Sequence, residues 1–143
     1  MPRSKTASQK AGELARFTGS EAQIQSTFFQ WCALVSGSAD GHLPEMALAY
    51  HIPNGGSRSR VEGARFKAQG VRAGVPDVHL PVPRGGYASL YIEFKRPGGR
   101  LRATQRHWCD RLTTAGNKVE VCTSVAAAVD CCESYLAQPE FGK

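Results

Sequence analysis

The chain has 143 residues, 41% of them hydrophobic, and a formal net charge of +6 at pH 7. That length gives one domain with a real core, and a mean hydropathy of −0.34 is ordinary for a globular protein. No apolar run approaches the ~20 residues of a membrane span, and the polar start, Met1 to Gly19, has no apolar segment of the kind secretion signals carry, so a cytoplasmic protein without membrane contact is expected.

Residues 1–19 read as a flexible basic arm. A helix is expected from Ser20, with Ser20 and Gln23 in capping-box spacing and Ile24, Phe28, Trp31 and Val35 forming one apolar stripe. Residues 37–44 read as a loop. Met46, Leu48, Tyr50 and Ile52 alternate as in a strand that ends at Pro53-Asn54-Gly55-Gly56. Residues 58–69 read as a short basic helix and 71–76 as a loop. Two further strands follow, their apolar residues alternating as Val78, Leu80, Val82 and as Leu90, Ile92, Phe94, with Arg84-Gly85-Gly86 between them. Pro97-Gly98-Gly99 breaks the second. A helix over about 103–115 turns Trp108, Leu112 and Ala115 inward and is closed by Gly116. A short strand at 118–122 leads to a Ser124-capped helix reaching about Leu136, with Val125, Val129, Cys132 and Leu136 on its inner face, and residues 137–143 form a tail. The pattern has no repeats. It predicts an α/β protein with a mixed sheet flanked by helices.

The five cysteines (Cys32, Cys109, Cys122, Cys131, Cys132) form no CxxC pair and no metal-ligand spacing. An odd number without a secretion signal points to reduced thiols. The positive charge is not spread evenly. Arg58, Arg60, Arg65, Lys67 and Arg72 precede the paired strands; Lys95, Arg96, Arg100, Arg102, Arg106 and Arg111 follow them. Two such clusters suit a polyanionic partner, since Lys and Arg release counterions from a phosphate backbone.

Between the clusters lies the most informative pattern, Pro76-Asp77 … Glu93-Phe94-Lys95. If the arms pair symmetrically about residue 85, 78 faces 92 and 80 faces 90, so the apolar sets share one face. Asp77, His79, Tyr91, Glu93 and Lys95 then share the other, with Asp77 opposite Glu93. Opposed residues on an antiparallel pair have Cβ atoms about 4.5–5.5 Å apart. Two carboxylates at that spacing can share a Mg²⁺, with oxygen ligands at about 2.0–2.1 Å. Like charges so placed are unfavourable unless neutralised. Lys95 adds an ammonium from the same face, and the set suits phosphodiester hydrolysis. A two-residue Gly85-Gly86 loop would shift this register by one, so a longer turn is expected.

Ser20-Glu21-Ala22-Gln23, Ile52-Pro53-Asn54-Gly55-Gly56, Gly70-Val71-Arg72-Ala73-Gly74-Val75-Pro76-Asp77, Ile92-Glu93-Phe94-Lys95-Arg96-Pro97-Gly98-Gly99 and Gln105 occur in that order. Together they resemble the VRR-NUC family of the PD-(D/E)xK nuclease superfamily, over about residues 20–136. The resemblance implies a restriction-endonuclease-like αβββαβ core. It implies a metal held by Asp77, Glu93, the Phe94 carbonyl and Glu21, with Lys95 near the attacking water and Gln105 close by. The metal would be Mg²⁺, with Mn²⁺ able to substitute. Stand-alone members resemble Holliday-junction resolvases, pair as homodimers and are often carried by phages and prophages. The expected activity is therefore metal-dependent cleavage of DNA, on branched structures. The alternatives are a flap or nicking nuclease acting with a partner, and a DNA-binding module without catalysis. Asn54, Gly55, Gly56, Arg58, Arg60, Arg65, Lys67, Arg72, Arg96 and Arg100 are the residues expected to follow the DNA backbone.

Overall fold

The computed structural model describes residues 1–37, 39, 41–54 and 59–140. Among the described residues, five helices, α1 (Ala7–Ala15), α2 (Glu21–Gly37), α3 (Arg60–Ala68), α4 (Ala103–Thr114) and α5 (Val125–Leu136), accompany four strands, β1 (Tyr50–His51), β2 (Val78–Leu80), β3 (Leu90–Phe94) and β4 (Lys118–Cys122). The strands form one sheet in the order β1-β2-β3-β4. The first two pairings are antiparallel and β3 with β4 is parallel, α4 making the crossover. The expected αβββαβ order is thus present as α2, β1, β2, β3, α4 and β4, within a mixed sheet flanked by helices.

Each face of the hairpin has one job. Val78, Leu80, Leu90, Ile92 and Phe94 are buried against Ile24, Phe28, Trp31 and Val35 of α2 and Val125, Ala128 and Val129 of α5. Phe28 meets Phe94 edge-on at 5.6 Å and stacks on Trp31 at 5.8 Å. Deleting a buried aromatic ring of this kind costs about 3–5 kcal/mol, so these rings set the height of the helical layer over the sheet. The side chains of Asp77, Glu93 and Gln105 meet on the opposite face, where α4 lies.

The register is the symmetric one: Val78 pairs with Ile92, His79 with Tyr91 and Leu80 with Leu90. The turn is not the longer one expected. Gly85 and Gly86 both take positive φ, 57° and 86°, and Arg84 bridges Tyr87, which makes a two-residue reverse turn. Residues 81–83 on one arm then oppose only 88 and 89 on the other. The Val82 N–H donates to the Leu80 carbonyl at 2.9 Å, a tight turn at Pro81 that takes up the extra residue. The one-residue slip of the loop is cancelled before the strands begin.

Other expectations are corrected. Where a basic arm was expected, residues 7–15 form α1, opened by a capping box in which Thr6 accepts from Gln9 N–H and the Gln9 side chain accepts from Thr6 N–H. Ala11, Leu14, Ala15 and Phe17 pack it on the core. The strand expected from Met46 is a 3₁₀ turn over Pro44–Leu48 followed by the two-residue β1, because Met46 is buried while Leu48 and Tyr50 are exposed. Trp108 and Leu112 are half-buried and Ala115 is exposed, so α4 buries no side chain fully. In α5, Leu136 packs half-buried against the core as expected, and Tyr135 is buried beside it, its hydroxyl donating to the Val82 carbonyl at 2.6 Å. The last described residues dock: Gly85 N–H donates to the Pro139 carbonyl at 2.9 Å, and buried Arg84 lies 3.4 Å from Glu45 and 3.8 Å from Glu140. All five cysteines are free thiols, with Cys32, Cys122 and Cys132 in the core. No helix among the described residues is long and apolar enough to cross a membrane.

Candidate active site

Asp77 is delivered to the sheet by a tightly held segment. Its carbonyl accepts the Ile52 N–H at 2.8 Å and the His51 Nδ1–H at 2.7 Å. Asn54 Nδ2 donates to the Val75 carbonyl at 2.7 Å, holding the exit of β1 to the loop before Asp77. Gly74 sits at φ 90°, and a Cβ there would lie 2.7 Å from the backbone of Thr104 in α4. This close approach sets the Asp77 loop against the helix that carries Gln105.

One more step of the hairpin register sets Asp77 against Glu93. Asp77 Oδ2 accepts the Phe94 N–H at 2.7 Å, a donor that has no strand partner once β2 has ended. Lys95 N–H donates to the Cys122 carbonyl on the β4 side, so the amide edge of Phe94, carbonyl included, faces Asp77. Glu93 is only 2% exposed. Gln105 Nε2 donates to Glu93 Oε1 at 3.0 Å, while Gln105 Oε1 accepts the Arg102 N–H at 2.8 Å at the start of α4. Both ends of the glutamine are thereby used, and it holds one carboxylate oxygen still. The other oxygen, Glu93 Oε2, is buried without a hydrogen-bond partner among the described residues.

A buried carboxylate beside another carries an electrostatic cost, and both groups show it. Burial first, and then Asp77, pushes the Glu93 carboxyl up from 4.5 to about 8, with Lys95 opposing the shift. Burial also raises Asp77, against the Phe94 N–H and the charges of His51 and Lys95. Glu21, exposed in the first turn of α2, adds its charge to both. The unpartnered buried oxygen and the cost of ionising two adjacent carboxyls are both features that a divalent cation would offset. The residues present fit one. Among the described residues, no group of three or more His, Cys, Asp or Glu side chains is set to hold a metal by itself. The fit therefore rests on the Asp77–Glu93 pair with the Phe94 carbonyl, and Glu21 stands as a nearby charge.

Lys95 is 9% exposed and close enough to hold down both carboxyls. The basic residues are less tightly built in. Arg60, Arg65 and Lys67 lie exposed on α3, which buries no residue, and Arg96 and Arg100 are exposed beyond β3. Arg72 spends its guanidinium on the carbonyls of Lys67, at 2.9 Å, and Val71, at 3.3 Å, closing the end of α3. Gly55, Gly56 and Arg58 lie outside the described residues.

His51 and Gly74 position Asp77, though the sequence marks neither as a site residue. The glycine two residues before Pro76-Asp77 is the signal for the second; nothing in the spacing singles out the first. Gly74→Ala is expected to lower stability by about 1–3 kcal/mol and to part Asp77 from the Gln105–Glu93 pair. Thermal unfolding checks the first, and an unchanged melting temperature would remove the close approach to Thr104 as a constraint on the Asp77 loop.

Residues 20–126 match the VRR-NUC domain family. A solved structure described as a "VRR_NUC domain protein" is 23% identical, aligns over 87% of this chain and 93% of its own, and superposes with a TM-score of 0.71. No curated protein matches the chain.

Proposed function

Because this chain belongs to the VRR-NUC domain family, whose function is of nuclease type, we propose that it is a metal-dependent endodeoxyribonuclease that cuts branched DNA as a homodimer in the cytoplasm. The single observation that carries the metal is the buried Glu93 Oε2 left without a partner beside Asp77. Asp77, Glu93 and the Phe94 carbonyl would hold Mg²⁺, or Mn²⁺ in its place, with the charge of Glu21 nearby. Such a cation, when bound, polarises the phosphate and lowers the pKa of water.

The remaining work falls to side chains of the protein. Gln105 holds Glu93 through Oε1 and leaves Oε2, which would be free to bind a metal. Lys95 orients the attacking water or stabilises charge on the phosphoryl oxygens from the same face. Arg60, Arg65, Lys67, Arg96 and Arg100 follow the DNA backbone, with Asn54, Gly55, Gly56, Arg58 and Arg72 along the same stretch of chain. Symmetric cutting of a four-way junction needs two sites, which is the reason for a homodimer.

The test is a panel of labelled four-way junction, flap, nicked and linear DNA, incubated with Mg²⁺, with Mn²⁺ and with EDTA, beside a mass measurement in solution. Metal-dependent cutting favouring the junction, by a dimer, is expected. Preference for flaps or nicks would move the reading to a flap or nicking nuclease. Binding without cutting of any substrate would leave a DNA-binding module and overturn the enzymatic reading.

A salt titration examines the basic surface separately. Replacing Arg60, Arg65 and Lys67 together by glutamine is expected to weaken binding alike across sequences and to reduce the salt slope by about 0.9 for each phosphate that is no longer neutralised. An unchanged slope would remove α3 from the interface.

A further inference from the structure

One strand period from the carboxylates, the same sheet face carries a row of rings that the cleavage chemistry does not use. Tyr50, His79 and Tyr91 are register partners across β1, β2 and β3. His79 stands two residues after Asp77, and Tyr91 two residues before Glu93. Alternate residues share a face, so the row lies about 7 Å along the strands from the carboxylates. That is the distance between a phosphate and a base of the nucleotides beside it. The His79 ring stacks on Tyr91 at 4.3 Å and 15°, and meets Tyr50 edge-on at 5.4 Å and 80°. Tyr50, on the edge strand, remains 48% exposed.

A chain of hydrogen bonds fixes which way this row presents its polar atoms. It starts from the Leu112 carbonyl, which only accepts, and which takes the Asn117 Nδ2–H at 3.0 Å. Asn117 Oδ1 therefore accepts, and the Ser89 hydroxyl donates to it at 2.6 Å. With its one proton used, Ser89 Oγ accepts from His79 Nε2–H at 3.0 Å. His79 Nδ1 is then bare and accepts the Tyr50 hydroxyl proton at 2.7 Å. The Tyr50 proton is committed inward, so its oxygen offers only lone pairs to an incoming group. A phosphate oxygen, itself an acceptor, gains nothing there. The N–H groups of a nucleobase do, and the exposed ring beside them supplies a stacking surface. The helix that follows β1 in the chain, α3, carries Arg60, Arg65 and Lys67.

We propose that Tyr50, backed by His79 and Tyr91, is a subsite for an unpaired nucleobase next to the phosphate held at Asp77 and Glu93. The inference deepens the nuclease reading and takes from it only the position of that phosphate. It selects by structure rather than by sequence, because every base has a π-face and only an unpaired one can turn it to a side chain. Branch points and flaps expose such bases; continuous duplex does not.

The experiment uses flap DNA with 2-aminopurine at the first unpaired position, in EDTA so that nothing is cut. Quenching of its fluorescence on binding is expected with the wild-type chain. Tyr50→Leu should abolish the quenching and weaken flap binding about tenfold, while binding of continuous duplex changes less than about twofold. Tyr50→Phe should retain the quenching and lose only part of the affinity. An abasic residue at that position should weaken wild-type binding as Tyr50→Leu does. Equal quenching by wild type and Tyr50→Leu, or equal binding of the abasic flap, overturns the subsite. So does a change of Tyr50→Leu from dimer to monomer with quenching intact, which makes the face an interface between copies. The nuclease reading fails separately, by absence of cutting with Mg²⁺ or Mn²⁺.

Discussion

Glu93→Gln is expected to reduce cleavage more than the roughly 10–100-fold that follows a change in a metal's supporting groups, while DNA binding stays within about twofold of wild type. The amide keeps the shape of the side chain and still offers an oxygen to Gln105 Nε2. What it removes is the negative charge at the partnerless oxygen. The same variant should also change the pH dependence of stability. The folded Glu93 carboxyl sits at about 8 against an ordinary 4.5, so the unfolded chain ionises first. In EDTA, the stability tied to this group is full below about 4.5 and is lost as pH rises through about 8. Glutamine does not titrate, and its protein should lack that part of the slope. Mg²⁺ favours the ionised pair, so it should raise Tm most at the alkaline end, with proton release on binding below pH 8. Thermal unfolding from pH 4 to pH 9, with and without Mg²⁺, measures all of this. Parallel profiles for the two proteins would detach Glu93 from the site.

Lys95→Met is expected to slow cleavage by about 10²–10³-fold, the range for losing one group that stabilises developing charge. Methionine replaces most of the buried stem, so packing under the site is kept. Lys95 is also one of the charges that hold the Asp77 and Glu93 carboxyls down. Without it both rise further, and the residual activity should shift its acid limb to higher pH. Metal binding at alkaline pH should hold, because a cation has been removed from beside a cation site. Single-turnover rates across pH, read beside a Mg²⁺ titration, separate the effects. A rate within fivefold of wild type with no shift in profile would place Lys95 outside the chemistry.

The register at the centre of the candidate site is legible in sequence because it obeys the period of two. Val78/Ile92 and Leu80/Leu90 are forced together by a buried face, and that alone sets Asp77 against Glu93. The turn was not legible: the notion of a longer loop counted residues, whereas Pro81 turns the chain within the arm and absorbs one of them. Pro44 misled in the same way. Alternation from Met46 to Ile52 looks like a strand, but proline at the start of a 3₁₀ turn and the exposure of Leu48 and Tyr50 leave only Met46 as an anchor. In α1 the signal was present and outweighed, since Thr6 and Gln9 have capping spacing inside a stretch that otherwise reads as a polar arm. Gln105 was placed near the site by resemblance. Its two-ended use, capping α4 and holding Glu93, depends on where the crossover lays the helix, which no local pattern encodes.

The tip of the hairpin is tied to the last described residues, through Gly85 to Pro139 and Arg84 to Glu140. These ties span more than fifty positions, and the parallel strand beside Glu93 is likewise supplied from downstream. Such non-local pairings slow folding, because the chain must close long loops before they form. On a ribosome the carboxylates emerge well before β4 and the residues that anchor the turn. A nascent chain therefore carries Asp77 and Glu93 out of the exit tunnel before β4 is there to flank Glu93, and its candidate site is complete only after most of the domain has left.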